Sequence, residues 1–152
     1  MSDGLVRLWC DGSCRFDNGR SPSAVAYIIN DAEPVGVPIG DNSALGAEIL
    51  AVTHGLLSVD DREHKIVQVV TDSQQLWYWA QGVGCPPPKY QELMWHMKTL
   101  LAQFRYAAVS LAPKRDEKIY KCHLLANYLA NPTGYKGRKR RHDLGGYRIR
   151  GM

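Results

Sequence analysis

The sequence predicts an α/β domain: a five-stranded mixed sheet with helices on both faces, in the order βββ-α-β-α-α-β-α. Three observations carry this. The chain opens with three short apolar segments joined by turns, a meander. Residues 66–71 form a continuous, β-branched apolar run, the mark of a central strand covered on both faces. Long crossovers follow the third and fourth strands, which suggests parallel pairing in a mixed sheet.

In order, Leu5–Cys10 is the first strand, and Gly12–Pro22 is rich in turn formers. Ser23–Asn30 is the second strand, Asp31–Pro34 a turn, and Val35–Ile39 the third strand. Asn42 or Ser43 caps a helix reaching about Ser58. Ile66–Thr71 is the fourth strand. Ser73–Gln81 is a short helix stopped by Gly82, Gly84 and the prolines at 86–88. Tyr90–Phe104 is helical, with Leu93, Met97, Leu100, Leu101 and Phe104 on one stripe. Tyr106–Ala112 is the fifth strand, and Lys118–Asn131 the last helix, ended by Pro132. No internal repeat or second domain is evident.

At 152 residues and 45% hydrophobic content, the chain can bury the core of a single domain. No apolar run approaches the roughly 20 residues of a membrane helix, and Met1–Gly4 lacks the features of a secretory signal. Cys10, Cys14, Cys85 and Cys122 show no CxxC or zinc-ligand spacing. They read as reduced thiols of a cytoplasmic protein, with Cys10 and Cys14 packing rather than sharing a metal. A monomer is expected. The formal charge of +4 is unevenly spread. Seven Lys/Arg against one acid give residues 132–152 a net of +6, whereas twelve against fourteen leave residues 1–131 at −2. The expected division is therefore a catalytic domain over 1–131 and a basic, flexible tail over 132–152. Within the tail, Arg138, Lys139, Arg140 and Arg141 are consecutive cations suited to neutralising phosphates. A solubilising tail or a localisation signal is the alternative.

Three acidic residues lie in distinctive settings: Asp11 in Trp-Cys-Asp-Gly-Ser, Glu48 in Gly-Ala-Glu-Ile-Leu-Ala-Val, and Asp72 in Val-Val-Thr-Asp-Ser-Gln. One follows a strand, one sits early in a helix and one closes the buried strand. Gathered by the fold, they supply hard oxygen ligands for magnesium. Ala44, Ala51 and Gly55 flank Glu48 along its helix, and small residues there let the helix approach the sheet closely.

Element order and these three motifs together resemble type 1 ribonuclease H over roughly residues 5–131. The resemblance implies the ribonuclease H-like fold, in which the first and fourth strands are parallel neighbours. It also implies metal-dependent hydrolysis of the RNA strand of an RNA–DNA hybrid, leaving 5′-phosphate and 3′-hydroxyl ends. The cofactors would be two Mg2+, with Mn2+ as a substitute, held by Asp11, Glu48, Asp72 and a fourth position. The family places an aspartate there, and this chain has Asn127. The amide keeps an oxygen but removes one negative charge, so weaker binding of the second ion is expected. His123, four residues earlier, shares that helical face and is a candidate ligand or proton carrier. Among Lys114, Arg115 and Lys118, Arg115 is chosen for the mobile cationic residue that family members carry ahead of the last helix.

RNA is distinguished by its 2′-hydroxyl in a wide minor groove. The resemblance implies that short polar groups and backbone near the acids sense it; the matching positions are Gly12, Ser13, Cys14 and Gln74, with Asn42 ahead of the first helix as a contact or an N-cap. In helix 73–81, Leu76, Trp79, Ala80 and Val83 fall at core spacing. This leaves Gln74, Trp77, Tyr78 and Gln81 on the other face, where Trp77 can pack on sugars. Some family members carry a basic protrusion where this chain has the short, nearly uncharged segment 82–89, so the basic tail is expected to supply that grip. The alternatives are a hybrid- or duplex-binding module that has lost catalysis, a resolvase-like DNA nuclease of the same superfamily, and a detached reverse-transcriptase domain.

Overall fold

The computed structural model describes residues 4–131 and the backbone of residues 148–149. The strands are β1 (Leu5–Cys14), β2 (Pro22–Ile29), β3 (Val35–Asp41), β4 (Ile66–Thr71), β5 (Tyr106–Leu111) and β6 (Arg148–Ile149). The helices are α1 (Ala44–Leu57), α2 (Gln74–Ala80), α3 (Pro88–Leu101) and α4 (Glu117–Ala130). The sheet order is β5-β4-β1-β2-β3-β6. β1, β4 and β5 run parallel, and β2 is antiparallel to both its neighbours. The five expected strands and four expected helices are all present.

Side chains alternate across a strand, and β2 uses both faces. Val25 and Tyr27 enter the larger core with α1, α2 and α3, while Ala24, Ala26 and Ile28 pack under α4. Small residues set how closely the helices sit. A Cβ on Gly55 would stand 2.6 Å from the Leu8 side chain, and one on Gly36 would meet the Leu125 and Leu129 side chains of α4.

Several boundaries differ from the sequence reading. β1 does not end at Cys10: Asp11, Gly12, Ser13 and Cys14 pair with Ala26, Val25, Ala24 and Ser23 of β2. The antiparallel partner holds residues of low strand propensity in the ladder, so Asp11 lies within the strand. Similarly, β3 extends to Asp41. α3 begins at Pro88 because a proline's missing N–H and fixed φ suit the first helical position; the triple proline starts this helix as well as ending the previous segment. Val83, expected in the core, is exposed, since α2 ends at Ala80. Ala44 is also exposed; the small residues buried along α1 are Gly46, Ala47, Ala51 and Gly55. β6 was not anticipated. Its two residues pair in parallel with Val35 and Gly36 at the β3 edge. Arg138, Lys139, Arg140 and Arg141 lie outside the described residues. Among those described, no helix is long and apolar enough to cross a membrane.

Candidate active site

The parallel pairing of β1 with β4 sets Trp9 opposite Val70. Asp11 and Asp72 each lie two residues further on, side by side near the carboxyl ends of adjacent strands, where open α/β sheets bind ligands. Glu48 comes from the second turn of α1. Ser43 starts that helix, accepting the Gly46 N–H at 2.9 Å and sharing a 2.8 Å hydrogen bond with the Tyr90 hydroxyl. Gly12 brings α1 to β1: a Cβ there would overlap the Ala47 carbonyl and stand 2.6 Å from the Glu48 amide nitrogen.

The carboxylates of Asp11, Glu48 and Asp72 converge, with one oxygen from each lying within 4.8 Å of the other two. Asp11 is 4% exposed. Burial, together with the charges of Asp11 and Asp72, pushes the Glu48 carboxyl from its ordinary 4.5 up to about 8. Burial also raises Asp11, against the opposing pull of its hydrogen bond to His123. Three carboxylates this close resist joint ionisation unless a positive charge joins them. Oxygen donors, convergence and unbalanced charge all suit a hard divalent cation.

The α4 side of the site is a relay. The His123 Nδ1 lies 3.0 Å from Asp11 Oδ2, and the His123 Nε2 lies 3.0 Å from Asn127 Nδ2. The Ser13 hydroxyl donates to Asn127 Oδ1. The hydrogen bond to Asp11 raises the His123 pKa, against partial burial. The Asn127 carbonyl oxygen, expected as a fourth ligand, accepts from Ser13 because the continuation of β1 brings that hydroxyl under α4; an amide oxygen has a second lone pair for a further partner. His123 touches the carboxylate trio through Asp11.

The remaining expected residues are spread around this centre. Cys14 donates its thiol to the Asn42 carbonyl at 3.2 Å. Asn42 Oδ1 accepts the Ser43 N–H at 3.0 Å, so its side chain precedes the cap rather than forming it. Gln74 and Tyr78 are exposed, and Trp77 is half-buried with its ring centroid 5.2 Å from that of Tyr78. Gln81 reaches across to donate to the Val109 carbonyl. Arg115 is exposed in the loop before α4, at φ 61°. Lys118 is engaged elsewhere, donating to the Asn30 carbonyl at 2.6 Å and to Asp31 at 3.1 Å and lying 4.2 Å above the Trp9 ring. Sequence reasoning missed a cleft of about 470 Å³ beside Ser13 and Asn127, lined also by Arg15, Phe16, Tyr128 and Asn131. The 80% exposure of Phe16 marks its rim; an aromatic in a turn was the only signal available for it.

This sheet order, with an acidic centre at the β1–β4 junction and helices on both faces, defines a ribonuclease H-like fold. A family model described as reverse transcriptase-like matches residues 9–129, and the chain belongs to that family. No curated protein matches the chain in sequence. Among solved structures it is similar to RNase H1 from the halophilic archaeon Halobacterium salinarum NRC-1, at 21% identity and TM-score 0.73, over 85% of this chain and 99% of that one. The N-terminal RNase H domain of a Mycobacterium tuberculosis protein, fused to maltose binding protein, matches at 20% identity and TM-score 0.73, over 86% and 96%. LC11-RNase H1 in complex with an RNA/DNA hybrid matches at 19% identity and TM-score 0.71, over 84% and 97%.

Proposed function

We propose that the protein is an endoribonuclease that hydrolyses the RNA strand of RNA–DNA hybrids, leaving 5′-phosphate and 3′-hydroxyl ends. The observation that carries this reading is the convergence of Asp11, Glu48 and Asp72 within 4.8 Å on a ribonuclease H-like sheet. A relative of the same fold, LC11-RNase H1, has been solved with such a hybrid.

Asp11, Glu48 and Asp72 hold the divalent cations. The chemistry supplied by two bound Mg2+, or by Mn2+ in their place, is activation of the attacking water and stabilisation of the departing 3′ oxygen. Asp11 meets both the other two acids and His123. Asn127 takes part by orienting His123, and Arg115 supplies mobile positive charge to the phosphate. Gln74 and Trp77, following Asp72, are assigned to the nucleic-acid backbone and minor groove. Gly12, Ser13, Cys14 and Asn42 are assigned, with Gln74, to sensing the 2′-hydroxyl. In this reading the basic residues 138–141 grip the second strand.

The test is cleavage of an end-labelled hybrid across magnesium and manganese concentrations, with Asp72→Asn as control and Asn127→Asp as partner. The parent should cut the RNA strand only with divalent cation, Asp72→Asn should lose at least about a hundredfold, and Asn127→Asp should work at lower magnesium. Equal cutting by Asp72→Asn removes the assignment. Hybrid binding without cutting would mark a binding module, the reading that Asn127 favours. Faster cutting of branched DNA would mark a resolvase-like enzyme.

A further inference from the structure

We infer that His123 is itself a cation ligand, through Nδ1 and beside Asp11, which makes one position of the site a mixed nitrogen–oxygen position that favours Mn2+ over Mg2+. The inference rests on the divalent-cation reading above and names the metal class of that same site.

The geometry comes first. Neighbouring ligands of an octahedral ion with bonds near 2.1 Å stand about 3.0 Å apart. Asp11 Oδ2 and His123 Nδ1 are 3.0 Å apart. Without a cation this spacing is a hydrogen bond; with one, it is an edge of a coordination sphere, and the Nδ1 proton leaves to solvent. Asp11 is buried and fixed through the Gly12 N–H at 3.0 Å, whereas the His123 side chain is half exposed and open on its solvent side.

Orientation is the second argument. A metal-binding histidine needs its other ring nitrogen anchored. Here Nε2 meets Asn127, which is tied to Ser13, 114 residues away in sequence. An amide and a hydroxyl can each donate or accept. If Asn127 turns its amide over, Oδ1 accepts from Nε2–H and Nδ2 donates to Ser13, leaving Nδ1 free to coordinate. An aspartate at 127 could only accept. The replacement that removes a carboxylate thus leaves an anchor compatible with either tautomer of His123.

Ligand type separates the two ions. Both ions prefer oxygen donors, but Mg2+ holds to oxygen and its own waters, whereas Mn2+ tolerates one imidazole nitrogen beside carboxylates. The trio of Asp11, Glu48 and Asp72 is all oxygen, and His123 stands outside it, touching Asp11 alone among the three. Two unequal positions sharing Asp11 follow.

The test uses the full chain and Mn2+ alone as probe. Pulsed electron paramagnetic resonance reads nitrogen coupling directly, and titration calorimetry reads affinity. The native protein should show imidazole nitrogen modulation on bound Mn2+. His123→Ala should lose it, with about a tenfold drop in Mn2+ affinity and less than about a threefold change for Mg2+. His64→Ala should keep it, which excludes the exposed Asp61, Glu63 and His64 group as the source. Bound Mn2+ with no nitrogen modulation in the native protein overturns this inference and leaves the carboxylate site standing. Modulation lost in His64→Ala overturns it equally. No Mn2+ binding at all overturns the divalent-cation reading beneath it. A native spectrum without nitrogen modulation overturns the inference even if His123→Ala does not fold.

Discussion

Gly12 of β1 and Ala47 of α1 meet with no side chain between them, and a methyl group on Gly12 would overlap the Ala47 carbonyl. The same approach carries Glu48, the next residue of α1, to the Asp11 carboxylate. Gly12→Ala should therefore do more than strain the core. The expected cost is about 2 kcal/mol by denaturant unfolding, in the range for overpacked sites, with a loss of cleavage of at least about tenfold in protein that remains folded. Full activity would show that α1 can retreat without moving Glu48.

Crowded carboxylates should make the metal-free protein prefer acid over base. The folded state holds the Glu48 proton up to about pH 8, whereas an unfolded glutamate releases it near 4.5. The folded state thus binds more protons across that window, and stability is complete below it and falls as pH rises through it. Asp11 and His123, both raised, act in the same direction. Thermal unfolding in chelator should give a lower Tm at about pH 9 than at about pH 5. Glu48→Gln should flatten the difference, and Mg2+ should restore the Tm at the higher pH.

Ser13 and Asn127 should behave as one unit. Ser13→Ala is expected to cost no more than about 1 kcal/mol in stability, since Asn127 is exposed and water can replace the hydroxyl. In a double-mutant cycle with Asn127→Ala, the effects on Mn2+ affinity should be less than additive. Additive losses would separate the two residues.

Neutralising Arg138, Lys139, Arg140 and Arg141 together should weaken hybrid binding at low salt and flatten the dependence of log affinity on log salt by up to about 3 to 4. An unchanged slope in a binding titration would assign those cations to something other than phosphate.

The fold was legible because its signals are local. The β-branched run at 66–71 announced a central strand, and the periodicity of α3 found Met97 and Leu100 of its buried face but not Met94. The acidic trio was legible because each member sits in a distinctive motif, within β1, in α1 and just after β4. What escaped depends on partners distant in sequence. Nothing local says that Gly12 and Ser13 continue a strand; β2 keeps them there. Nothing around Asn127 names Ser13, which only the β1 extension brings within reach. Ala44 and Ala47 look alike in sequence, and only the packing of α1 on β1 tells which one is buried. The two-residue β6 is too short for any periodicity.

The parallel union of β1 with β4 joins segments separated by β2, β3 and α1, and such long-range closures form late relative to local turns and helices. Until that closure, Asp11 and Asp72 are ordinary, well-hydrated acids on separate stretches of a growing chain. On the divalent-cation reading, affinity should therefore appear abruptly with the final collapse rather than accumulate along the way.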